Sequence, residues 1–220
     1  MCGVPWRTSK DNRLPLRYLA LGDSYTIGTG ASDEAHNYPS IVAKRYLKAT
    51  GRKVELINPA VNGFTTLDLI KEELWQVSSF EPQGVSVLIG VNDIVQGRTA
   101  EQYTASLRTI YDRIAELDPG VGRAVAISIP NWSVVPAARE FGDPGTLARL
   151  TDNFNAIAKS EAASRGFTWI DITEVSTSGI ATQGWISSDQ LHSGDVQYAA
   201  WADVIWDAIK ADWVGPELRP

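Results

Sequence analysis

The sequence predicts a three-layer α/β/α sandwich around a parallel sheet of five strands, on three observations. Five short apolar runs alternate with longer segments of helical period. The runs are apolar almost without a break, as strands are when helices cover both faces of a parallel sheet. The 220 residues, 44% apolar and 21% charged, suit one α/β domain with a full core.

The elements follow in order. RYLAL (17–21) reads as the first strand, ended by the glycines and small polar residues of GDSYTIGTG (22–30). YPSIVAKRYLKAT (38–50) reads as a helix with Gly51 as its C-terminal cap. VELIN (54–58) is the second strand, TTLDLIKEELWQV (65–77) one continuous helix and VSVLIG (85–90) the third strand. TAEQYTASLRTIYDRIAEL (99–117) opens on a capping box of Thr99 and Gln102, and Asp118-Pro119-Gly120 stops it. RAVAISIP (123–130) is the fourth strand. GTLARLTDNFNAIAKSEAASRG (145–166) is a helix closed by Gly166, FTWIDI (167–172) the fifth strand, and a last helix occupies about 195–212. With no linker and no internal repeat, the expectation is a single domain over 1–220, with 1–15 as an N-terminal extension.

Charge and composition exclude several functions. A net charge of −6, with no basic stripe, argues against nucleic acid as the partner. Cys2 is the one cysteine, which rules out an internal disulfide and a thiolate metal cage. The opening MCGVPWRTSKDNRLP has no apolar core of signal-peptide length, and no stretch approaches the roughly 20 apolar residues of a spanning helix. The expectation is a soluble protein, cytoplasmic by default.

In open parallel sheets, ligands bind beyond the carboxyl ends of the strands, so the chemistry is sought in those loops. GDSYTIGTG is neither a phosphate-binding P-loop nor a G-x-G-x-x-G turn, and it does not spell the G-x-S-x-G elbow. Its Ser24 is inert near neutral pH without a base. The chain has two histidines. His36 lies in the polar segment ASDEAHNYP (31–39) and reads as a solvated surface residue. His192 lies in SSDQLHSG (187–194), three residues after Asp189. One turn would bring that carboxylate onto Nδ1, fix the tautomer and leave Nε2 free to take a proton from Ser24. Donors for an oxyanion come from the loops after strands two and three: the Gly63 N–H in NPAVNGFTT (58–66) and the Asn92 amide in GVNDI (90–94). Each group taken alone is equally well explained by a turn. Together they put a nucleophile, amide donors and an Asp/His pair on one rim, in the order Ser, Gly, Asn, His.

That order, in GDSYTIG (22–28), Gly63, GVND (90–93) and DQLH (189–192), resembles the four sequence blocks of the SGNH (GDSL-type) hydrolase family. The resemblance runs from Arg17 to about Asp212 and extends to NYPSIVA (37–43) and ISIPNW (127–132). It implies a flavodoxin-like fold and ester hydrolysis without metal or cofactor, acting on a small-molecule ester. It makes Ser24 the nucleophile and an oxyanion donor, Gly63 and Asn92 further donors, His192 the general base and Asp189 its orienter; Asp23 and Asp93 brace the loops. Two departures stand out. Ser193 follows His192 where the family often has proline, which predicts a freer loop. Asn-Pro-Ala stands at 58–60 where Asn-Ala-Gly is common. Tyr25, Ile27, Phe64, Val91, Ile94, Val95, Trp132, Val134, Val135, Trp185 and Leu191 flank the blocks as candidates for an acyl pocket. Esters of short to medium acyl chains are the expected substrates. Sugar acetyl esters, acyl thioesters and acyl transfer use the same site, and a non-catalytic binding domain or a phosphate cradle are the rival readings; Asp23 would repel a phosphate.

Overall fold

The structure, a computed structural model, describes residues 14–117 and 122–215. Its sheet holds five parallel strands, β1 (Leu16–Gly22), β2 (Val54–Ile57), β3 (Gly84–Leu88), β4 (Ala124–Ile127) and β5 (Thr168–Ile170), in the order β2-β1-β3-β4-β5. That is the flavodoxin-like order, and it places a topological switch point at β1 and β3. β1 pairs with β2 at Leu19↔Ile57 and with β3 at Leu19↔Val85. The inner strands β3 and β4 are buried at every position, whereas the edge strand β2 is partly exposed along its length.

One face is covered by α2 (Tyr38–Thr50) and the long C-terminal helix (Asp195–Val214), which pack on each other; α6 (Ala100–Ala115) and α7 (Pro144–Ala163) pair likewise. The caps follow the sequence signals. Asn37 Oδ1 accepts from the Ser40 N–H at 2.9 Å to open α2, and the Gly51 N–H closes it on the Leu47 carbonyl. Thr99 and Gln102 form both bonds of the capping box. Aromatic side chains join the elements: Tyr103 of α6 stacks on Phe154 of α7 at 4.3 Å, and Tyr18 of β1 meets the edge of Trp213 in the C-terminal helix at 5.0 Å.

The segment expected as one helix over 65–77 is two, α3 (Thr66–Glu72) and α4 (Gln76–Phe80). At the break the Leu69 carbonyl accepts from both Glu73 and Leu74 N–H groups at 3.0 Å, a wide turn. There Glu73 turns into the core and accepts the Gly22 N–H at 3.0 Å. Three further one-turn helices, α1 (Ser24–Ile27), α5 (Val91–Val95) and α8 (Thr173–Ser178), are too short for a period to reveal. The C-terminal helix is therefore α9. The stop signal at 118–120 and most of the N-terminal extension lie outside the described residues. No helix among those described is long and apolar enough to cross a membrane.

Candidate active site

β1 ends at Gly22, and Asp23 turns the chain into α1 by accepting the Tyr25 N–H at 3.0 Å. Ser24 is the first residue of that helix and is nearly buried, at 5% exposure. Asp23 occupies the capping role, and neither the Ser24 N–H nor its Oγ has a hydrogen-bond partner among the described residues. The first N–H groups of a helix have no partner inside it, so the one at Ser24 remains a donor.

The loop after β2 is tied to this turn. Asn58 Nδ2 donates to the Thr26 carbonyl at 2.8 Å, and Thr29 Oγ1 donates to Asn62 Oδ1. Gly63 follows with a left-handed φ of +81°, and a Cβ there would meet no atom within 4 Å. The next residue, Phe64, accepts from Asn92 Nδ2 at 3.0 Å. One N–H of the Asn92 amide is thus spent on fixing its orientation, and the other stays available. Asp93, fully buried beside it, joins α5 to α3 by accepting the Thr66 N–H at 2.8 Å and the Thr66 hydroxyl at 2.6 Å. Arg98 Nε lies 3.0 Å from Asp93 as an ion pair, at an angle outside hydrogen-bond geometry. Burial pushes the Asp93 carboxyl up despite these partners. Its place between α3 and α5 agrees with the bracing role that the resemblance implied.

Asp189 and His192 meet as their spacing predicts: Nδ1 lies 2.6 Å from Asp189 Oδ2. Partial burial alone would raise the Asp189 carboxyl. Hydrogen bonds from the Ser187 hydroxyl, the N–H groups of His192 and Leu191 and the imidazole outweigh it and hold the group well below the usual carboxylate range. The loop is not loosened by Ser193. That residue is buried and bridges to Ile186, while the Ser187 N–H donates to the His192 carbonyl and the Gly194 N–H to the Trp185 carbonyl, both at 2.8 Å. Backbone hydrogen bonds do here what a proline ring would do.

This hairpin stands against the Ser24 turn. The Tyr25 ring meets the His192 ring edge-on at 6.1 Å. Gly30 packs so closely that a Cβ would lie 2.5 Å from the Ser193 carbonyl and 2.7 Å from the Ser187 side chain. Tyr198 donates to the Thr29 carbonyl at 2.9 Å, and Asp195 accepts the Ser32 N–H at 2.8 Å. No hydrogen bond joins Ser24 Oγ to His192 in this structure; such bonds are often long until substrate binds. His36 is a surface residue as expected, bonded through Nδ1 to Asp33.

Of the acyl-pocket candidates, Tyr25, Val91, Ile94, Trp132, Val135 and Trp185 are buried core, and Val95 and Val134 are exposed. Ile27, Phe64 and Leu191 are half-buried. An open groove of about 360 Å³ runs beside Gly63, lined by Ile27, Gly28, Thr29, Ala60, Val61 and Asn62. Sequence reasoning missed Asn58, Thr66 and Glu73 as supports of the site. Glu73 alone carried a signal: it stands four residues after Leu69 and four before Val77, both buried, on the apolar stripe of its helix.

Comparison with known proteins identifies the family and the fold. Residues 20–200 match the GDSL-like Lipase/Acylhydrolase family. No curated protein sequence matches the chain. Among solved structures, a lipase/acylhydrolase from Enterococcus faecalis is 25% identical, with a TM-score of 0.70 over 90% of this chain and 96% of that one. An acetyl xylan esterase from Geobacillus stearothermophilus, in the form of a single-residue variant, superposes with a TM-score of 0.71 at 18% identity, covering 88% and 94% of the two chains. The esterase EstA from Pseudoalteromonas sp., inhibited by monoethylphosphonate, does so at 0.68 and 16% identity, covering 90% and 98%. Since the family match spans the Ser24, Gly63, Asn92 and His192 loops together, the chain belongs to the GDSL-like lipase/acylhydrolase family and is a carboxylic ester hydrolase.

Proposed function

We propose that the protein is a serine esterase in which Ser24 is the nucleophile, His192 the general base and Asp189 its orienter. The observation that carries this reading is the 2.6 Å contact of Asp189 with His192 Nδ1, in a hairpin packed on the turn that bears Ser24. With Nδ1–H held by the carboxylate, Nε2 carries the lone pair that accepts the Ser24 proton as Oγ attacks the ester carbonyl. The developing oxyanion rests on the Ser24 and Gly63 N–H groups and the free N–H of the Asn92 amide. Donors of this kind contribute about 3–4 kcal/mol each to the transition state. His192 then protonates the leaving alkoxide, and water repeats the sequence on the acyl-enzyme. The bond from Asn92 Nδ2 to the Phe64 carbonyl orients that amide beforehand, which costs the reaction no reorganisation.

The proposed substrates are esters of short to medium acyl chains, seated in the open groove that Ile27, Gly28 and Thr29 line just after the Ser24 turn. A panel of aryl esters of increasing acyl length, run on wild type and variants together, tests the nucleophile and measures the pocket. Ser24→Ala and His192→Ala each remove activity by several orders of magnitude. Asn92→Ala lowers turnover roughly 100- to 1000-fold. Esterase activity unchanged in Ser24→Ala sinks the assignment.

A further inference from the structure

Glu73 occupies a position that calls for a hydrocarbon side chain. It is fully buried at the end of α3, its Oε2 accepts the Gly22 N–H at 3.0 Å, and its Oε1 has no hydrogen-bond partner. One residue beyond Gly22, Asp23 is also fully buried, with Oδ1 on the Tyr25 N–H and Oδ2 without a partner of normal geometry. Two buried carboxyl groups thus grip the two ends of the turn that delivers Ser24. Among the described residues neither has a cation: Arg98 is committed to Asp93. Two ionised carboxylates without a cation are costly in a dry interior, so the pair is expected to keep a proton.

We propose that Glu73 is a positioning residue for ester hydrolysis: from its buried place at the end of α3 it holds the Gly22 N–H and so fixes the turn that aims Ser24 at its substrate. The inference rests on Ser24 being the nucleophile. The electrostatics of the site agree with the geometry. Burial foremost, with the charge of Asp23 added, raises Glu73 to about 8. Burial, with a smaller push from Asp93, raises Asp23 to about 7, and the Tyr25 N–H opposes it. The other groups facing the pair are the phenols of Tyr25, Tyr38 of α2, Tyr103 of α6 and Tyr198 of α9, all raised chiefly by burial and uncharged at these pH values. When both carboxyls ionise, no cation among the described residues neutralises the second charge. Repulsion then falls on the backbone between Gly22 and Tyr25, and Ser24 loses its alignment.

The test compares wild type, Glu73→Gln and Glu73→Leu between about pH 6 and about pH 9.5, reading kcat, KM and the rate of phosphonate labelling of Ser24. Wild type loses kcat and labelling rate as pH rises through about 8, with KM unchanged. Glu73→Gln keeps an oxygen for the Gly22 N–H and cannot ionise, so it retains the wild-type kcat near neutral pH and lacks the alkaline loss. Glu73→Leu leaves the Gly22 N–H buried and unpaired, and its kcat falls about tenfold at every pH at the same KM. An alkaline loss in Glu73→Gln equal to that of wild type, or an unchanged kcat in folded Glu73→Leu, overturns the proposal. If the leucine variant does not fold, the glutamine variant decides alone. Failure of wild-type Ser24 to label overturns the nucleophile assignment and this proposal together; labelling with an unaltered Glu73→Gln pH profile overturns this one only.

Discussion

Asp33-x-x-His36 and Asp189-x-x-His192 have the same spacing and the same contact, a carboxylate on Nδ1 at 2.8 and 2.6 Å. They differ in surroundings. The His36 side chain is 47% exposed, and Asp33 also caps a 3-10 turn by accepting the Ala35 N–H. The His192 side chain is 18% exposed and faces the Tyr25 ring. Asp189→Asn therefore lowers kcat by roughly 1000- to 10,000-fold through loss of the tautomer, whereas Asp33→Asn leaves kcat/KM within about twofold, and aryl-ester kinetics separate the two. The proposed reacting groups were legible in the sequence because each follows a strand end, where a polar or small residue breaks an apolar run. Glu73 was not: a glutamate in a helix reads as solvent-facing, and only its place between Leu69 and Val77 argued otherwise.

At the scale of elements, the loops around Ser24 and His192 are joined by close packing rather than by a linking bond. The two glycines beside the site give opposite expectations. Gly30→Ala forces a Cβ into the Ser193 carbonyl and the Ser187 side chain at a φ of +92°, so it displaces the hairpin that carries His192. It is expected to cost about 2–3 kcal/mol of stability and to lower kcat with it. Gly63→Ala meets open space, and only its left-handed backbone costs it, about 1 kcal/mol. Denaturant unfolding of the two variants checks the difference. The long helices α2, α6, α7 and α9 were legible to within a few residues from their apolar period and caps. The one-turn helices α1 and α5, which present Ser24 and Asn92, were not, since four or five residues hold no period. The break after α3 has no local signature, because Glu73 there pairs with a distant partner, the Gly22 N–H.

For the whole molecule, the β2-β1-β3-β4-β5 order brings the loops after β1, β2 and β3 to one rim, which is why residues 28 to 51 positions apart in sequence share hydrogen bonds there. The buried acids leave a mark on global stability. Asp23 and Glu73 bind protons more tightly folded than unfolded, so their contribution is full below the ordinary carboxylate range and is lost as pH rises toward about 8. Asp189 has the opposite sign: its contribution is present above that range and is lost as pH falls below it. Thermal unfolding temperature against pH should therefore pass through a maximum on the acid side of neutrality, and Glu73→Gln should flatten its alkaline slope. The parallel sheet and its rim were legible from alternation and loop chemistry, while the ionisation of the interior depended on packing that no local pattern records. The central claim is that Ser24 is the nucleophile, and the most direct measurement is phosphonate labelling followed by mass mapping with residual activity read in parallel. One adduct per chain, at Ser24, with activity falling in step, is the expected result; an adduct at another residue, or full activity in a Ser24→Ala protein, contradicts it.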